Sequence, residues 1–260
     1  MDRFFVNPEN IDLENKKLKI SGEDVKHITK VLRLGIGDTV EVCDSNNSEY
    51  ICEIDSIEKE YIDLDIVDKV EINRESNIRV KLYQGLPKST KMEIILQKLT
   101  ECGVSEIVLV NTKRTVVSLD NKNIDKKLQR WERIIYESSK QSKRGQIPKL
   151  VGVLDFKEAL EDMKNNDFNI SAYESEQVTG IKEVLRSDKV VDLIKQKKEI
   201  TIGIFIGPEG GFTEQENKQI IDEGISSVSL GPRILRTETA SIVASAIVLY
   251  ELGDIGGRTD

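Results

Sequence analysis

Over the first seventy residues the apolar positions recur mostly at every second place. RFFV (3–6), TVEVC (39–43), EYICEIDSI (49–57) and YIDLDIV (61–67) are β-branched and largely alternating, which predicts four half-buried strands. Asp44 and the Ser-Asn-Asn-Ser that follows it predict a hairpin turn between two of them. A short helix, about Gly22 to Val31 and opened by Ser21, interrupts the strands. The pattern predicts a small β-barrel-like module, and the charged EINRE (71–75) predicts a linker after it.

From residue 78 the period changes. IRVKLYQGL is a strand, and STKMEIILQKLTECG is a helix, with Thr90 and Glu93 spaced as a capping box and Gly103 as its stop. EIVLV is the next strand. A basic amphipathic helix from about Asp125 to Lys143 gathers Leu128, Trp131, Ile134 and Ile135 on one side. Then come KLVGVL (strand), a helix near 156–164, FNISAY (strand), a helix near 179–196 and the strand ITIGIFI. A helix from Thr213, the strand SVSL and a last helix from about Thr237 complete the chain. Strands alternating with helices predict a parallel α/β sheet covered on both faces. The last helix is apolar nearly all round, which predicts burial or a subunit contact.

Composition narrows the chemistry. The chain has 260 residues, 38% hydrophobic and 32% charged, the profile of a globular protein, and contains no run of eighteen apolar residues to cross a membrane. The start, MDRFFVNPEN, lacks a signal-peptide pattern. Three cysteines, Cys43, Cys52 and Cys102, without a Cys-x-x-Cys pair predict a reduced, cytoplasmic protein with no structural metal. His27 is the one histidine, so a zinc enzyme or a histidine-based triad is disfavoured.

Net charge of −8 argues against a nucleic-acid partner until its distribution is read. From Lys113 to Lys149 eleven Lys or Arg face four Asp or Glu, a local +7 that leaves −15 elsewhere. Such separation is either an electrostatic footprint for a polyanion or a solvated helix face.

Ligands of parallel sheets sit at the carboxyl ends of the strands. Two loops there share a grammar: ITIGIFI runs into Gly207-Pro208-Glu209-Gly210-Gly211, and SVSL into Gly231-Pro232-Arg233-Ile234-Leu235-Arg236. Each precedes a helix with a threonine near its start, and in the first Thr213 and Glu216 are spaced as a capping box. Both loops at one end of neighbouring strands predict a ligand site rather than two unrelated turns. A phosphate cradle would end in Gly-Lys-Ser/Thr, and neither loop does. Glu209 and Glu238 would instead repel a polyphosphate. Glycines admit a purine or ribose close to the backbone, and carboxylates tolerate a cation. S-adenosylmethionine combines those properties.

IGPEGGFTEQE together with SLGPRILRTETASIVA resembles the ribosomal RNA small-subunit methyltransferase E family, of the SPOUT group of knotted methyltransferases. RFFV, HITKVLRLGIGDTVEV (27–42), GLPKSTKMEIILQKLTECGV (85–104), ESSKQSKRGQIP (137–148) and AYESE (172–176) are similar to the same family, so the likeness covers essentially the whole chain. Cys102 stands where an aliphatic residue is usual, and Lys113-Arg114 is a loose match. The resemblance implies a PUA-like, RNA-binding β-barrel over 1–72 and an α/β SPOUT domain over 73–260, with a trefoil knot at roughly 200–250. It further implies a homodimer that methylates N3 of one uridine of 16S rRNA, as naked rRNA or in the small ribosomal subunit, from S-adenosylmethionine and without a metal.

Carried onto these residues, the resemblance assigns donor binding to Glu174, Ile206, Gly207, Glu209, Gly210, Leu230, Gly231, Ile234, Leu235 and Arg236. Arg236 and Glu238 become the anion stabiliser and proton handler, with Arg233 a second arginine for the first role. Arg33, Lys88, Arg114, Gln141, Lys143 and Arg144 are assigned to RNA. Two other readings stay open: a SPOUT enzyme with another RNA target, such as a tRNA, and a catalytically silent RNA-binding or ribosome-assembly protein.

Overall fold

The computed structural model describes residues 1–46, 48–70, 74–116 and 121–257. The chain forms two units, residues 1–75 with 139–147, and 76–138 with 148–260. Most of the expected linker at 71–75 lies outside the described residues.

In the first unit the strands are β1 (Arg3–Phe5), β2 (Ile11–Asp12), β3 (Lys17–Ser21), β4 (Thr39–Cys43), β5 (Glu49–Ile57) and β6 (Tyr61–Val70). They form a six-stranded sheet in the order β1-β4-β5-β6-β3-β2, with β1 parallel to β4 and the other pairs antiparallel. Alternation turns Leu18, Ile20, Val40, Val42, Cys52, Ile54, Ile62 and Leu64 inward onto Phe4, Val25 and Ile28. Each buried aliphatic side chain of this kind contributes about 1.5–3 kcal/mol. The interrupting helix is α1 (Glu23–Lys26), continued by a π-helical turn (His27–Leu32). The Asp44 carboxylate makes the β4–β5 turn by accepting from the N–H groups of Asn46 and Ser48. The β2–β3 hairpin was not expected: its buried face is only Leu18 and Ile20, set among lysines.

Residues 139–147 pack with this first unit. Lys140 pairs with Asp24 at 3.2 Å, and the guanidinium of Arg3 donates to the carbonyls of Lys143 and Arg144.

The second unit is built on β7 (Ile78–Gly85), β8 (Glu106–Asn111), β9 (Lys149–Asp155), β10 (Phe168–Ala172), β11 (Ile200–Ile206) and β12 (Ser226–Val228). All are parallel, in the order β12-β10-β11-β7-β8-β9. Around them run α2 (Ser89–Cys102), α3 (Asn121–Gln141), α4 (Phe156–Met163), α5 (Ile181–Leu185), α6 (Asp188–Gln196), α7 (Glu214–Asp222) and α8 (Thr237–Leu252); the last turn of α3 belongs to the first unit. Tyr83, Val108, Val110 and Phe205 on the sheet pack with Ala159, Leu160 and Met163 of α4, Ile220 of α7 and Phe212. α8 packs on α2 and on β7 and β11.

Four local expectations change. β11 and β12 are not neighbours, because β10 lies between them. The helix expected at 179–196 is two, broken at Arg186 and Ser187. α3 ends at Gln141 because Lys143 adopts φ 56° and Arg144 N–H reaches back to the Ser139 carbonyl at 3.0 Å, a left-handed helix stop. Thr90 and Glu93 form no capping box, since α2 begins at Ser89 and carries no side-chain cap of its own.

Candidate functional site

At the carboxyl ends of β10, β11 and β12 a cavity of about 820 Å³ opens. It falls in the range of small-molecule sites, about 300–1,000 Å³. Three loops build its wall, one after each strand, with Lys91 of α2 and Ala240 of α8 completing it. β10 thus joins the two Gly-Pro loops that the sequence treats as neighbours, and contributes Tyr173, Glu174 and Gln177.

The loop after β11 is held from several sides. Gly211 N–H closes a turn on the Pro208 carbonyl at 3.0 Å, with Gly211 at φ 65°. Thr213 and Glu216 make the expected capping box: Glu216 N–H donates to Thr213 Oγ1 at 3.1 Å, and Thr213 N–H to Glu216 Oε2 at 2.9 Å. The other oxygen of Glu216 accepts from Lys113 N–H. Arg114 donates to the carbonyls of Gly210, at 2.7 Å, and Phe212.

Glu209, the carboxylate in the middle of this loop, turns toward α2. Its Oε1 accepts Lys88 N–H at 3.0 Å and stands 3.4 Å from Lys91 Nζ. Burial works to raise its pKa. The hydrogen bonds from Lys88 N–H and from its own N–H, together with the charge of Lys91, outweigh that and hold the carboxyl below its ordinary value.

A buried polar chain fixes the start of α8. Gln84, at the end of β7, donates to Thr237 Oγ1 at 3.0 Å and to the Gly85 carbonyl, and accepts from Ser241. Thr237 in turn donates to the Gly207 carbonyl. Arg236 is the N-cap position of α8, and Glu238 lies in its first turn.

Of the residues assigned to donor binding, Glu174, Ile206, Gly207, Glu209, Leu230, Gly231, Ile234, Leu235 and Arg236 line the cavity, and so does Arg233. Gly210 does not: it faces Arg114, whose Cβ would lie 3.1 Å from an added methyl group. Glu238 is not in the wall, but its Oε2 lies 3.3 Å from Lys91 Nζ, which is. Sequence reasoning missed Lys91, Thr237 and Gln84, whose partners are remote along the chain.

The residues assigned to RNA divide. Arg33 is exposed and closes the π-helical turn at φ 57°; Gln141 and Lys88 are exposed; Lys143 pairs with Glu41 at 3.0 Å. Arg114 is exposed, but its guanidinium is engaged by the loop after β11. Arg144 is a correction. Only 4% exposed, it grips Glu75 with Nε and Nη2 at 2.9 and 2.7 Å, so it fastens the 139–147 segment instead of meeting a polyanion. Part of the +7 excess is likewise consumed internally, by Lys140–Asp24, Arg130–Glu93 and Lys143–Glu41. Among the described residues no His, Cys, Asp or Glu cluster could hold a metal ion, and no helix is long and apolar enough to cross a membrane.

The wall suits a nucleoside with a cationic tail. Ile206, Val228, Leu230 and Leu235 give an apolar face, and Glu174 gives a carboxylate. Gly207 brings bare backbone to the cavity, in a turn so tight that a Cβ there would meet Gly211 at 3.1 Å.

Comparison with known proteins agrees with this geometry. The RNA methyltransferase domain family matches residues 74–249, and the RNA methyltransferase PUA domain family matches residues 20–67. The chain is 34% identical over 252 residues to ribosomal RNA small subunit methyltransferase E of Bacillus subtilis, spanning 96% of this chain and 97% of that one. The corresponding protein of Buchnera aphidicola (Acyrthosiphon pisum) is 32% identical over 246 residues, 95% of this chain and 92% of its own. A crystal structure of ribosomal RNA small subunit methyltransferase E from Neisseria gonorrhoeae, bound to S-adenosyl methionine, matches with a TM-score of 0.83 at 27% identity, covering 98% of this chain and 99% of that one. Fold and site together define an RNA methyltransferase with a PUA domain. Within that class, the chain belongs to the ribosomal RNA small subunit methyltransferase E family.

Proposed function

We propose that this protein methylates N3 of a uridine in small-subunit (16S) ribosomal RNA, in the cytoplasm, with S-adenosylmethionine as donor. The observation that carries this reading is the cavity formed by the loops after β10, β11 and β12, where the carboxylates of Glu174, Glu176 and Glu209 stand with Lys91, Arg233 and Arg236.

Ile206, Gly207, Leu230, Gly231, Ile234 and Leu235 hold the donor largely through backbone, and Glu174 faces its polar end. When bound, S-adenosylmethionine supplies a methyl carbon whose bond to sulfur breaks, the electron pair staying on sulfur, as N3 of the uridine bonds to that carbon. The chain's work is to align the two reactants, a contribution of about 7–11 kcal/mol in well-oriented systems. Glu238 accepts the N3 proton and later releases it to water. Arg236 and Arg233, exposed at the cavity mouth, stabilise the charge that develops on the uracil oxygens. Arg33 from the first unit, with Lys88, Gln141 and Lys143, contacts the RNA.

We also assign to this chain the homodimer and the knotted path over 200–250 that its sequence resemblance implies. α8 supports the first, since Ile242, Val243 and Ile247 are half-buried on the monomer and Tyr250 is 67% exposed. Supporting the second, α8 follows the loop after β12 and is fastened back to the loop after β11 through Thr237.

The test is to incubate the protein with labelled donor and either naked small-subunit rRNA or the assembled subunit, digest the RNA and identify the labelled nucleoside. N3-methyluridine is expected. A different methylated nucleoside, or no incorporation into either substrate, overturns the proposal.

A further inference from the structure

Three separate elements converge on the ammonium of Lys91. It sits in the first turn of α2, with Nζ 3.4 Å from Glu209 Oε1, on the loop after β11, and 3.3 Å from Glu238 Oε2, in the first turn of α8. Glu209 is itself anchored, because Lys88 N–H donates to it at the uncapped start of α2. Glu238 is held differently. Its side chain is 16% exposed, and its Oε2 is shut off from solvent without a hydrogen-bond partner. The attraction to Lys91 is the contact that fixes this oxygen. Lys91 is also part of the cavity wall.

We propose that Lys91 is a positioning residue for methyl transfer: it ties Glu238 to the Glu209 loop and so sets the orientation from which Glu238 takes the N3 proton. The donor side of the site and the proton acceptor then share one fixed point. This rests on the role given to Glu238 above. A displacement of about 1 Å at a reacting group can cost roughly a hundredfold in rate.

The experiment measures single-turnover methylation of small-subunit rRNA by the full-length protein and by Lys91→Met, Lys91→Arg, Glu238→Gln and the Lys91→Met/Glu238→Gln double variant. Donor affinity comes from calorimetry, and thermal unfolding reports on the fold. Lys91→Met should lose about ten- to a hundredfold in rate, with donor affinity and the KM for RNA within about twofold. Lys91→Arg should recover most of the rate. In the Glu238→Gln background, Lys91→Met should cost less than about threefold, since the two residues act as one unit. Lys91→Gln replaces the methionine variant if that one does not fold.

Full activity of Lys91→Met beside a slow Glu238→Gln overturns the inference and leaves the Glu238 reading intact. Full activity of Glu238→Gln overturns both. An undiminished Lys91→Met effect in the Glu238→Gln background also overturns the inference, because Lys91 would then act on the substrate or through Glu209.

Discussion

The hydroxyl of Thr237 donates to the carbonyl of Gly207 at 2.6 Å, tying the first residue of α8 to the loop that follows β11. The same oxygen accepts from Gln84 Nε2, and all three residues are buried. Thr237→Val removes both bonds and leaves a carbonyl and an amide proton without partners, at a cost of about 1–3 kcal/mol for a buried unsatisfied group. Urea unfolding should show that loss, and calorimetry should show weaker S-adenosylmethionine binding. Thr237→Ser keeps the hydroxyl and should restore both. An unchanged unfolding midpoint for the valine variant would remove this bond from the account.

Features that depend on neighbours in sequence were legible, and those that depend on remote partners were not. Thr213 and Glu216 form the capping box that their spacing suggests, whereas Thr90 and Glu93, with the same spacing, do not. The difference is Glu209, which takes the Lys88 N–H at the start of α2 from 121 residues away, while Glu93 pairs with Arg130. The two Gly-Pro loops announced the cavity, because Gly and Pro chemistry is local. That β10 separates β11 from β12 is set by strand order, which no local pattern encodes. Arg144 reads as one more cation of a basic segment until Glu75 is seen against it.

Gly85 lies where backbone meets backbone. A Cβ there would be 2.6 Å from both the nitrogen and Cδ of Pro208 and 2.9 Å from the carbonyl carbon of Gly207. Gly85→Ala must displace the donor loop, with overpacking of this kind costing about 1–3 kcal/mol. The loss should appear as weaker donor binding as well as lower stability. Gly152→Ala, on β9 with nothing within 4 Å of its added carbon, should leave donor affinity unchanged and serves as the control.

Arg144 and Arg33 should separate folding from RNA binding. Arg144→Ala removes the bidentate partner of half-buried Glu75, which keeps the N–H groups of Gly145 and Gln146. The loss should therefore fall below the roughly 3–5 kcal/mol of a fully buried broken pair. Denaturant unfolding should register it. Arg33 is exposed, so Arg33→Ala should change stability by less than about 0.5 kcal/mol. Its effect belongs in the salt dependence of rRNA binding, where one lost phosphate contact flattens the slope of log affinity against log salt by about 0.7–0.9. Equal slopes for wild type and Arg33→Ala would take Arg33 out of the interface.

Glu209 makes a prediction in pH. Its carboxyl lies below the ordinary value of 4.5 in the folded chain, because the N–H groups and Lys91 overcome the opposing effect of burial. The folded state therefore releases this proton more readily than the unfolded one. The resulting stabilisation is complete above the ordinary value and disappears as pH falls through the folded value. A carboxylate at a helix N-terminus contributes about 0.3–1 kcal/mol, and the N-cap residue of α2, Lys88, supplies no side-chain cap of its own while its N–H donates to Glu209. Urea unfolding of wild type and Glu209→Gln should thus differ by a constant amount between about pH 6 and 8, with the gap closing below about 4.5. A gap that widened in acid would mean the carboxyl is raised, and that Glu209 is not bound by α2. Closure of the gap would identify the acid in the middle of the glycine loop as the group that caps α2 and fastens the loop after β11 to it.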